Sequence, residues 1–235
     1  MNIVITGATK GIGKAIVMKF ANDDQPHSFF VCARNEKELN LLKNEIEHNH
    51  PKHFVNVFVC DLSKKDEVKN FAVHILQTID NIDILINNAG TYFPGSCYNE
   101  PEGTLEKLLD INLLSAYHLT RALLPSMMKN KQGQIFNMCS IASLKSYENG
   151  GSYSISKFAL AGFTKNLREE MKPLGIKVTG IYPGATMSDS WAGSGVDEGR
   201  LMEANDIADM IYSAAYLSGK AVVEDIILRP QLGDL

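Results

Sequence analysis

Short, unbroken apolar runs alternate with longer stretches in which apolar residues recur every three or four positions, and this alternation most constrains the fold. The short runs are rich in β-branched and aromatic residues, which is typical of strands covered on both faces of a sheet. The seven candidate strands are Asn2–Thr6, Ser28–Ala33, His53–Cys60, Ile82–Asn87, Gly133–Ser140, Lys177–Tyr182 and Asp225–Leu228. The candidate helices between them are Ile12–Asn22, Glu36–Glu47, Lys64–Thr78, Thr104–Met128, Ser154–Lys172 and Asn205–Leu217. Strand–helix alternation of this kind predicts parallel βαβ units, and therefore an α/β fold with one doubly wound seven-stranded sheet and helices on both faces.

The chain of 235 residues has the composition of an ordinary globular domain, with 45% hydrophobic and 21% charged residues. This length and composition are typical of one domain, which we place at residues 1–235. The net charge of −4 argues against a nucleic-acid partner, because binding to phosphates needs a basic surface. No apolar stretch approaches the roughly 18 residues that a membrane helix needs, and the chain opens directly into its first strand. We therefore expect a cytoplasmic protein with no membrane association.

The cysteines and a group of histidines are candidates for a metal site, but their spacing favours a simpler interpretation. The four cysteines lie far apart and form no C-x-x-C motif, which is typical of small hydrophobic residues in a reducing compartment. Three histidines straddle a predicted helix end without an acidic or cysteine partner at ligand spacing, namely His48, His50 and His53. We predict no metal site and interpret the histidine segment as a solvated loop.

A glycine-rich turn, Thr6-Gly7-Ala8-Thr9-Lys10-Gly11-Ile12-Gly13, follows the first strand and opens the first helix. A tight turn, and a pyrophosphate lying against the backbone, both need residues without a Cβ atom. The free N–H groups and partial positive charge of the helix start then face the anion. Glycine spacing alone is a weak signal that a structural turn also produces. Its place after a strand and before a helix predicts a dinucleotide site.

The end of the second strand indicates which dinucleotide is bound. Folds that select NAD place an acid there to bind the ribose diol, whereas folds that select NADP supply cations. Here the sequence reads Cys32-Ala33-Arg34-Asn35, and Lys10 in the glycine turn offers a second cation near the same ribose. Two charge-assisted hydrogen bonds to a 2′-phosphate would favour NADP(H) by roughly a hundredfold or more. Arg34 is also compatible with an ordinary surface residue at a helix start.

Motifs along nearly the whole chain, from Asn2 to about Pro230, resemble those of the short-chain dehydrogenase/reductase family. They comprise the glycine pattern, an acidic residue after the third strand, an Asn-Asn-Ala-Gly motif, an Asn-Ser-Tyr-Lys tetrad and a Pro-Gly turn. The matching residues are Gly7, Gly11, Gly13, Asp61, Leu62, Asn87, Asn88, Ala89, Gly90, Asn112, Ser140, Tyr153, Lys157, Pro183 and Gly184. Several motifs in the family's order are far more specific than one glycine turn.

This resemblance implies a Rossmann fold and an oxidoreductase that moves a hydride between NADP(H) and a small-molecule carbonyl or secondary alcohol. The C-terminal segment after the last strand also resembles that of members acting on small carbonyls or hydroxy acids. The implied catalytic residues are Asn112, Ser140, Tyr153 and Lys157. The implied cofactor-binding residues are Gly7, Thr9, Lys10, Gly11, Ile12, Gly13, Arg34, Asp61, Leu62, Asn88, Ala89, Gly90, Tyr153, Lys157, Pro183, Gly184, Thr186 and Ser188.

The resemblance also implies a homo-oligomer, a dimer or a tetramer, because the helices Thr104–Met128 and Ser154–Lys172 form subunit interfaces in many relatives. The second helix carries small and apolar residues suited to close helix contact: Phe158, Ala159, Ala161, Gly162 and Phe163. These residues are equally suited to packing on the sheet of a monomer.

The chemistry of the tetrad supports the same interpretation. Tyr153 and Lys157 are four residues apart on a predicted helix, so their side chains share one face. A neighbouring ammonium, and the positive ring of the oxidised nicotinamide, would lower the pKa of the phenol and make it a general acid or base. Ser140 would hydrogen-bond the reacting oxygen, and the resemblance gives Asn112 a water-linked proton relay. Each residue taken alone is also compatible with a structural role.

Two segments that follow strands, about 91–103 and 184–203, are the predicted substrate loops, because open α/β sheets bind ligands at this edge. In the second loop Thr186 stands where the family usually has an apolar residue, while Ser188 still offers a hydroxyl to the cofactor amide. Candidates for an apolar substrate wall are Tyr92, Phe93, Tyr147, Met187 and Trp191. Such side chains are equally routine packing material.

Two other functions remain compatible with the sequence. A non-catalytic NADP-binding sensor or scaffold would keep the glycine turn but would have no need of the tyrosine–lysine pair. An epimerase would use the same acid–base groups with the cofactor as a transient store of hydride. No cluster of basic residues in the substrate loops demands a carboxylate or phosphate on the substrate, so the sequence does not identify it.

Overall fold

A computed structural model describes residues 1–188 and 195–234 of the chain. Within them, parallel strands form one sheet of seven strands in the order β3-β2-β1-β4-β5-β6-β7. The strands are β1 (Asn2–Thr6), β2 (Ser28–Ala33), β3 (Phe54–Val59), β4 (Ile84–Asn87), β5 (Gly133–Met138), β6 (Ile176–Pro183) and β7 (Asp225–Leu228). The α-helices are α1 (Gly11–Ala21), α2 (Glu36–Asn49), α3 (Lys65–Thr78), α4 (Thr104–Leu109), α5 (Ser115–Asn130), α6 (Gly151–Met171) and α7 (Ala204–Ala215).

Helices cover both faces of the sheet because successive residues of its central strands point to opposite sides. Ile3 and Ile5 of β1 pack with residues of α1, α2 and α7 on one face. Val4 of the same strand, with Leu85 of β4, packs with α3, α5 and α6 on the other. All four side chains are fully buried. The predicted α/β class and doubly wound, seven-stranded parallel sheet are confirmed.

The prediction of one continuous helix over Thr104–Met128 is wrong, because the helix is interrupted. The structure divides this stretch into α4, a π-helical turn at Asp110–Leu114, and α5, which continues to Asn130. A π turn inserts one extra residue into a helix and turns the side chains around it, and such turns are common at functional sites. Here the turn contains the buried Asn112. The physical reason for the break is therefore the placement of one polar side chain, described below.

The interpretation of the histidine segment as a solvated loop was wrong for His53, whose side chain is buried. The backbone N–H of His27 donates to Nδ1 of His53 at 3.0 Å, and Nε2 lies 2.8 Å from the carbonyl oxygen of Ala21. The ring also stacks on that of His27. Because both ring nitrogens have backbone partners, the ring can be buried without an unsatisfied polar atom.

The helices of residues 1–188 and 195–234 include none that is both long enough and apolar enough to cross a membrane.

Candidate active site

The predicted site residues converge at the C-terminal edge of β1, β4, β5 and β6. The strand order reverses between β1 and β4, since the chain builds outward from β1 to β3 and then returns to the other side of β1. Such a switch point leaves a crevice between the loops that follow the two strands, and ligands of open α/β sheets bind there. The glycine turn after β1 and the Asn-Asn-Ala-Gly motif after β4 are the two sides of this crevice.

The glycine turn has a backbone that side chains would not tolerate. Gly7 and Gly11 have φ angles of +64° and +49°, in the left-handed region that glycine adopts most readily. A Cβ atom on Gly13 would lie 2.1 Å from the carbonyl oxygen of Gly7, which no side chain permits. The helix α1 begins at Gly11, and its N-cap residue Lys10 makes no capping hydrogen bond with its side chain to any described residue. First-turn N–H groups at such a helix start are available to an anion.

Thr6 and Asn88 hold the two loops together. The amide nitrogen Nδ2 of Asn88 donates to the carbonyl oxygens of Thr6 and Gly7 at 2.9 and 3.0 Å. In return, Oγ1 of Thr6 accepts the backbone N–H groups of Asn88 and Ala89 at 3.1 and 3.0 Å. The role of Thr6 was not predicted, although its position as the last residue of β1 places it at the crevice. Asn88 therefore acts on the glycine turn, and through it on any nucleotide the turn holds.

Beyond the turn, on the side toward β2 and β3, charges of both signs lie together. The ammonium of Lys10 pairs with Glu38 at 3.0 Å, and the Thr9 hydroxyl donates to the same carboxylate at 3.2 Å. Arg34 is exposed, as a residue that meets a nucleotide from outside would be. Hydrogen bonds from Ser63, and then the positive charges nearby, lower the pKa of Asp61, which therefore stays ionised at neutral pH. Glu38 was not among the predicted site residues.

Three members of the predicted tetrad meet at the ends of β5 and α6. Ser140 follows β5 and caps a 3-10 turn, Ile141–Ser143, by accepting the N–H of Ala142 at 3.2 Å. This cap is why β5 ends at Met138 rather than at the predicted Ser140. The ammonium of Lys157 is buried, donates to the carbonyl oxygen of Met138 at 2.7 Å and lies 5.9 Å from the centre of the Tyr153 ring.

Burial decides the protonation of this pair. It raises the pKa of the Tyr153 phenol, against a smaller opposite effect of the hydrogen bond with Ser140. It lowers the pKa of Lys157 from 10.5 to about 8. The lowering of the Tyr153 pKa predicted from the sequence depends on the ammonium together with the oxidised nicotinamide, and for the cofactor complex it stays a prediction. At neutral pH the phenol is therefore protonated, which is the form that donates a proton.

The fourth member, Asn112, ties the π turn to the loop after β4. Its Oδ1 accepts the N–H of Thr91 at 2.8 Å, while its Nδ2 donates to the carbonyl oxygen of Thr91 and to Oγ of Ser156. A Cβ atom on Gly90 would lie 3.3 Å from both Oδ1 of Asn112 and Nζ of Lys157. Gly90 thus lets the two polar groups approach the backbone of the crevice. The water relay remains a prediction.

The Pro-Gly turn lies at the end of β6, and the segment after it reaches the glycine turn. Thr186 is buried and donates to the carbonyl oxygen of Gly184 at 3.0 Å, so its hydroxyl is used to shape this turn. Ser188 approaches the glycine turn, since a Cβ atom on Gly11 would be 3.7 Å from that of Ser188. Trp191, a candidate for the substrate wall, lies outside the described residues.

Comparison with known proteins assigns this arrangement to a family. The family model for short chain dehydrogenases matches residues 1–198. The chain belongs to this family. It is 31% identical to a sepiapterin reductase of Chlorobaculum tepidum, over 99% of this chain and 97% of that protein. It is 28% identical to an uncharacterized oxidoreductase of Staphylococcus epidermidis, over 97% of this chain and 96% of that protein.

Two solved structures are similar to this chain along nearly its full length. A metagenomic short-chain oxidoreductase in complex with NADP has a TM-score of 0.84 at 28% identity, covering 98% of this chain and 97% of the other. An alcohol dehydrogenase from Thermococcus sibiricus, complexed with 5-hydroxy-NADP, has a TM-score of 0.88 at 25% identity, covering 98% and 96%. The chain is therefore an oxidoreductase of the short-chain dehydrogenase family.

Side chains of the loops at this edge of the sheet border the predicted reacting group. The ring of Tyr92 meets that of Tyr153 edge-on, with centroids 4.9 Å apart. Partial burial, with the nearby phenols of Tyr92 and Tyr153, raises the pKa of Tyr147. These two predicted wall residues thus lie beside Tyr153. Phe93 is 44% exposed and Met187 is half-buried, so both remain candidates on the rim.

Glu100, which the sequence did not single out, joins the first of these loops to the start of α6. Its carboxylate accepts the backbone N–H of Ser152 at 3.2 Å and also the Ser152 hydroxyl. Gly151 makes room for this contact, because a Cβ atom there would be 2.9 Å from Oε2 of Glu100 and 2.4 Å from the carbonyl oxygen of Gly95. A carboxylate at a helix N-terminus is stabilised by the helix dipole. Glu100 therefore fixes the residue that immediately precedes Tyr153.

Proposed function

We propose that this protein is an NADP(H)-dependent oxidoreductase that moves a hydride between the cofactor and a carbonyl or secondary alcohol, with Tyr153 as the general acid or base. The observation that carries the proposal is the meeting of Tyr153, Ser140 and Lys157 beside the crevice that the glycine turn borders. A sensor of the same fold would need the glycine turn alone, and the buried ammonium of Lys157 would then be a cost without a benefit.

The residues at the crevice fit a dinucleotide. The backbone of Gly7 and Gly11, the space beside Gly13 and the helix start at Gly11 suit a pyrophosphate. Lys10 and Arg34 are cations on the side where a 2′-phosphate would lie. Lys157 and Ser188 would hold the nicotinamide end. The NADP complexes of the two structural relatives support the choice of NADP(H).

The protein's own groups then have distinct roles in carbonyl reduction. Bound NADPH supplies the hydride. Ser140 donates a hydrogen bond to the carbonyl oxygen and fixes its position. Tyr153, protonated because burial raises its pKa, donates its proton to the oxygen as negative charge develops there. Lys157, ionised below its pKa of about 8, stabilises the phenolate that remains. The name of the sepiapterin reductase relative supports reduction as the direction.

Turnover by matched tyrosine variants tests this proposal. Purified protein is mixed with NADPH or NADH and a panel of aldehydes, ketones, diketones and 3-keto acids, and the loss of reduced-nicotinamide absorbance is followed. Tyr153→Phe should lower kcat/KM by about a hundredfold to ten-thousandfold. Tyr216→Phe, which changes a 46% exposed tyrosine just after α7 and outside the predicted site, should leave it unchanged. Full turnover by Tyr153→Phe would refute the acid–base role. Tight NADPH binding without reduction of any compound would favour a sensor.

We also propose that the protein forms a homo-oligomer through α5 and α6. On α6, Ile155 and Phe158 are each 44% exposed and lie three residues apart, so they contribute to one apolar surface that a second subunit could cover. A Cβ atom on Gly162 would meet nothing within 4 Å, so a second helix could approach there. Ala161, predicted for the same surface, is instead buried against the protein's own core.

A further inference from the structure

The carboxylate of Glu38 contacts Lys10 and Thr9, two hydrogen-bond donors that are expected to bind the cofactor. Its Oε1 lies 3.0 Å from the ammonium of Lys10, and its Oε2 accepts the hydroxyl of Thr9 at 3.2 Å. The Glu38 side chain is 29% exposed, so the carboxylate is partly withdrawn from solvent rather than projecting freely. The protein thus places a negative group of its own at the outer end of the glycine turn.

The helix that carries Glu38 does not need this contact for its own stability. Asn35 already caps α2, because its Oδ1 accepts the N–H groups of Lys37 and Glu38. Leu39, Leu42 and Ile46 anchor the same helix in the core. Ion pairs between partly exposed side chains contribute little to stability in general. The position of the carboxylate therefore matters mainly for what Thr9 and Lys10 can bind.

Carboxylates lie beside the cations around the expected 2′-phosphate position, where Lys64, 3.9 Å from Asp61, adds a further positive charge. Lys10 faces Glu38, and the positive charge of Arg34 acts on the ionised Asp61. A 2′-phosphate that approaches Lys10 must share it with a carboxylate and pay the repulsion between two anions, whereas a 2′-hydroxyl carries no such charge. The carboxylate of Glu38 therefore weakens the preference for NADP(H) that Lys10 would otherwise give.

We propose that Glu38 is a cofactor-selectivity residue: its carboxylate competes with the 2′-phosphate for Lys10 and Thr9 and so weakens the discrimination between NADP(H) and NAD(H). This inference rests on the proposed function, because it assumes that the glycine turn holds a dinucleotide. It implies that wild-type protein binds both dinucleotides with a modest preference for NADP(H), and that removal of one negative charge strengthens this preference.

Calorimetric binding of NADP⁺ and NAD⁺ to nucleotide-free protein tests the proposal without reference to activity. Glu38→Gln keeps the shape of the side chain and removes its charge. It should raise the ratio of NADP⁺ affinity to NAD⁺ affinity by about tenfold, the effect of removing one charged competitor. The increase should shrink at high salt, because the interaction is partly exposed. A ratio that is unchanged or lower in Glu38→Gln would overturn the proposal.

Two further variants make the result specific. Glu45→Gln removes the partner of Lys14, 2.8 Å away, and so breaks a similar ion pair between α2 and α1, away from the predicted donors Thr9 and Lys10. It should leave the affinity ratio unchanged, and an equal rise in this control would overturn the proposal. In a Lys10→Met background the effect of Glu38→Gln should become smaller, because the contested cation is gone and only the competition for Thr9 and the repulsion between the two anions remain. A full effect in that background would contradict competition for Lys10.

Failure of this inference can be separated from failure of the proposed function. Wild-type protein that binds neither dinucleotide would overturn the proposed function, and the role of Glu38 with it. Protein that binds both dinucleotides, with an affinity ratio insensitive to Glu38→Gln, would overturn the role of Glu38 alone. Equal thermal unfolding of wild type and Glu38→Gln would confirm that the comparison concerns folded protein of equal stability.

Discussion

The buried ammonium of Lys157 makes the stability of the nucleotide-free protein depend on pH in a defined way. Burial lowers the pKa of Lys157 from 10.5 to about 8, so the folded state releases a proton at a pH where the unfolded chain still binds it. Stability rises with pH wherever the unfolded state binds more protons. Between about pH 8 and 10.5, wild-type protein should therefore gain stability from this residue, by roughly 3 kcal/mol at 1.36 kcal/mol per pKa unit.

Lys157→Met isolates this contribution, since methionine fills similar space and cannot bind a proton. Urea unfolding is followed by circular dichroism from pH 7 to pH 10.5 for wild type and variant. The variant also loses the hydrogen bond to Met138, which shifts its curve by a constant amount. The informative quantity is the slope of the stability difference with pH. Lys165→Met, which removes an exposed lysine of the same helix, is the control and should parallel wild type.

The expected result is that the stability of wild type relative to Lys157→Met increases by about 3 kcal/mol as pH rises from 8 to 10.5. Below pH 8 the difference should be flat, because both states of wild type then hold the proton. Parallel curves for wild type and Lys157→Met across the whole range would refute the reasoning. They would mean that Lys157 keeps an ordinary pKa and is not held as an ammonium away from water.

Three more predictions follow from the geometry of the site and of the exposed helix. Gly13→Ala would place a Cβ atom 2.1 Å from a backbone oxygen and should weaken NADP⁺ binding in calorimetry by about tenfold or more, whereas Gly162→Ala, in open space, should not. Glu100→Ala removes the acceptor of two hydrogen bonds at the start of α6 and should lower the free energy of unfolding in urea by about 1–3 kcal/mol, against little change in the exposed control Glu102→Ala. In analytical ultracentrifugation, wild type should sediment as a species heavier than the 25.9 kDa chain. Phe158→Glu should shift the sedimenting species toward the mass of the single chain. Wild type that sediments only as a monomer would refute the oligomer proposal.

The sequence was sufficient to predict the strands of the sheet, because short buried strands appear in it as unbroken apolar runs. The seven strands were located with errors confined to their ends, since an unbroken apolar run marks the buried part of a strand and not its last hydrogen bond. Ser140 is an example. It directly extends the segment predicted as a strand, but in the structure its side chain caps the next turn and the residue is not part of the strand. The glycine turn was equally accessible, because its backbone excludes other residues.

The parts that the sequence did not reveal depend on long-range contacts. The π turn around Asn112 arises because Asn112 bonds to Thr91 and Ser156, which are distant in sequence. The direction of the Tyr153 pKa shift depends on how deeply the phenol is buried, which the spacing of Tyr153 and Lys157 does not specify. Glu38 looks like an ordinary first-turn helix residue until the fold places it against Thr9 and Lys10.

Transfer of a labelled hydride tests the central claim most directly. NADPH carrying deuterium at the transferring position of the nicotinamide is incubated with the protein and any carbonyl compound that it reduces, and the product alcohol is analysed by mass spectrometry. We expect one deuterium on the former carbonyl carbon, while in deuterated water with unlabelled NADPH that carbon should carry none. Product that takes its carbon-bound hydrogen from water, or NADPH that is bound but never loses its label, would contradict hydride transfer as the reaction of this protein.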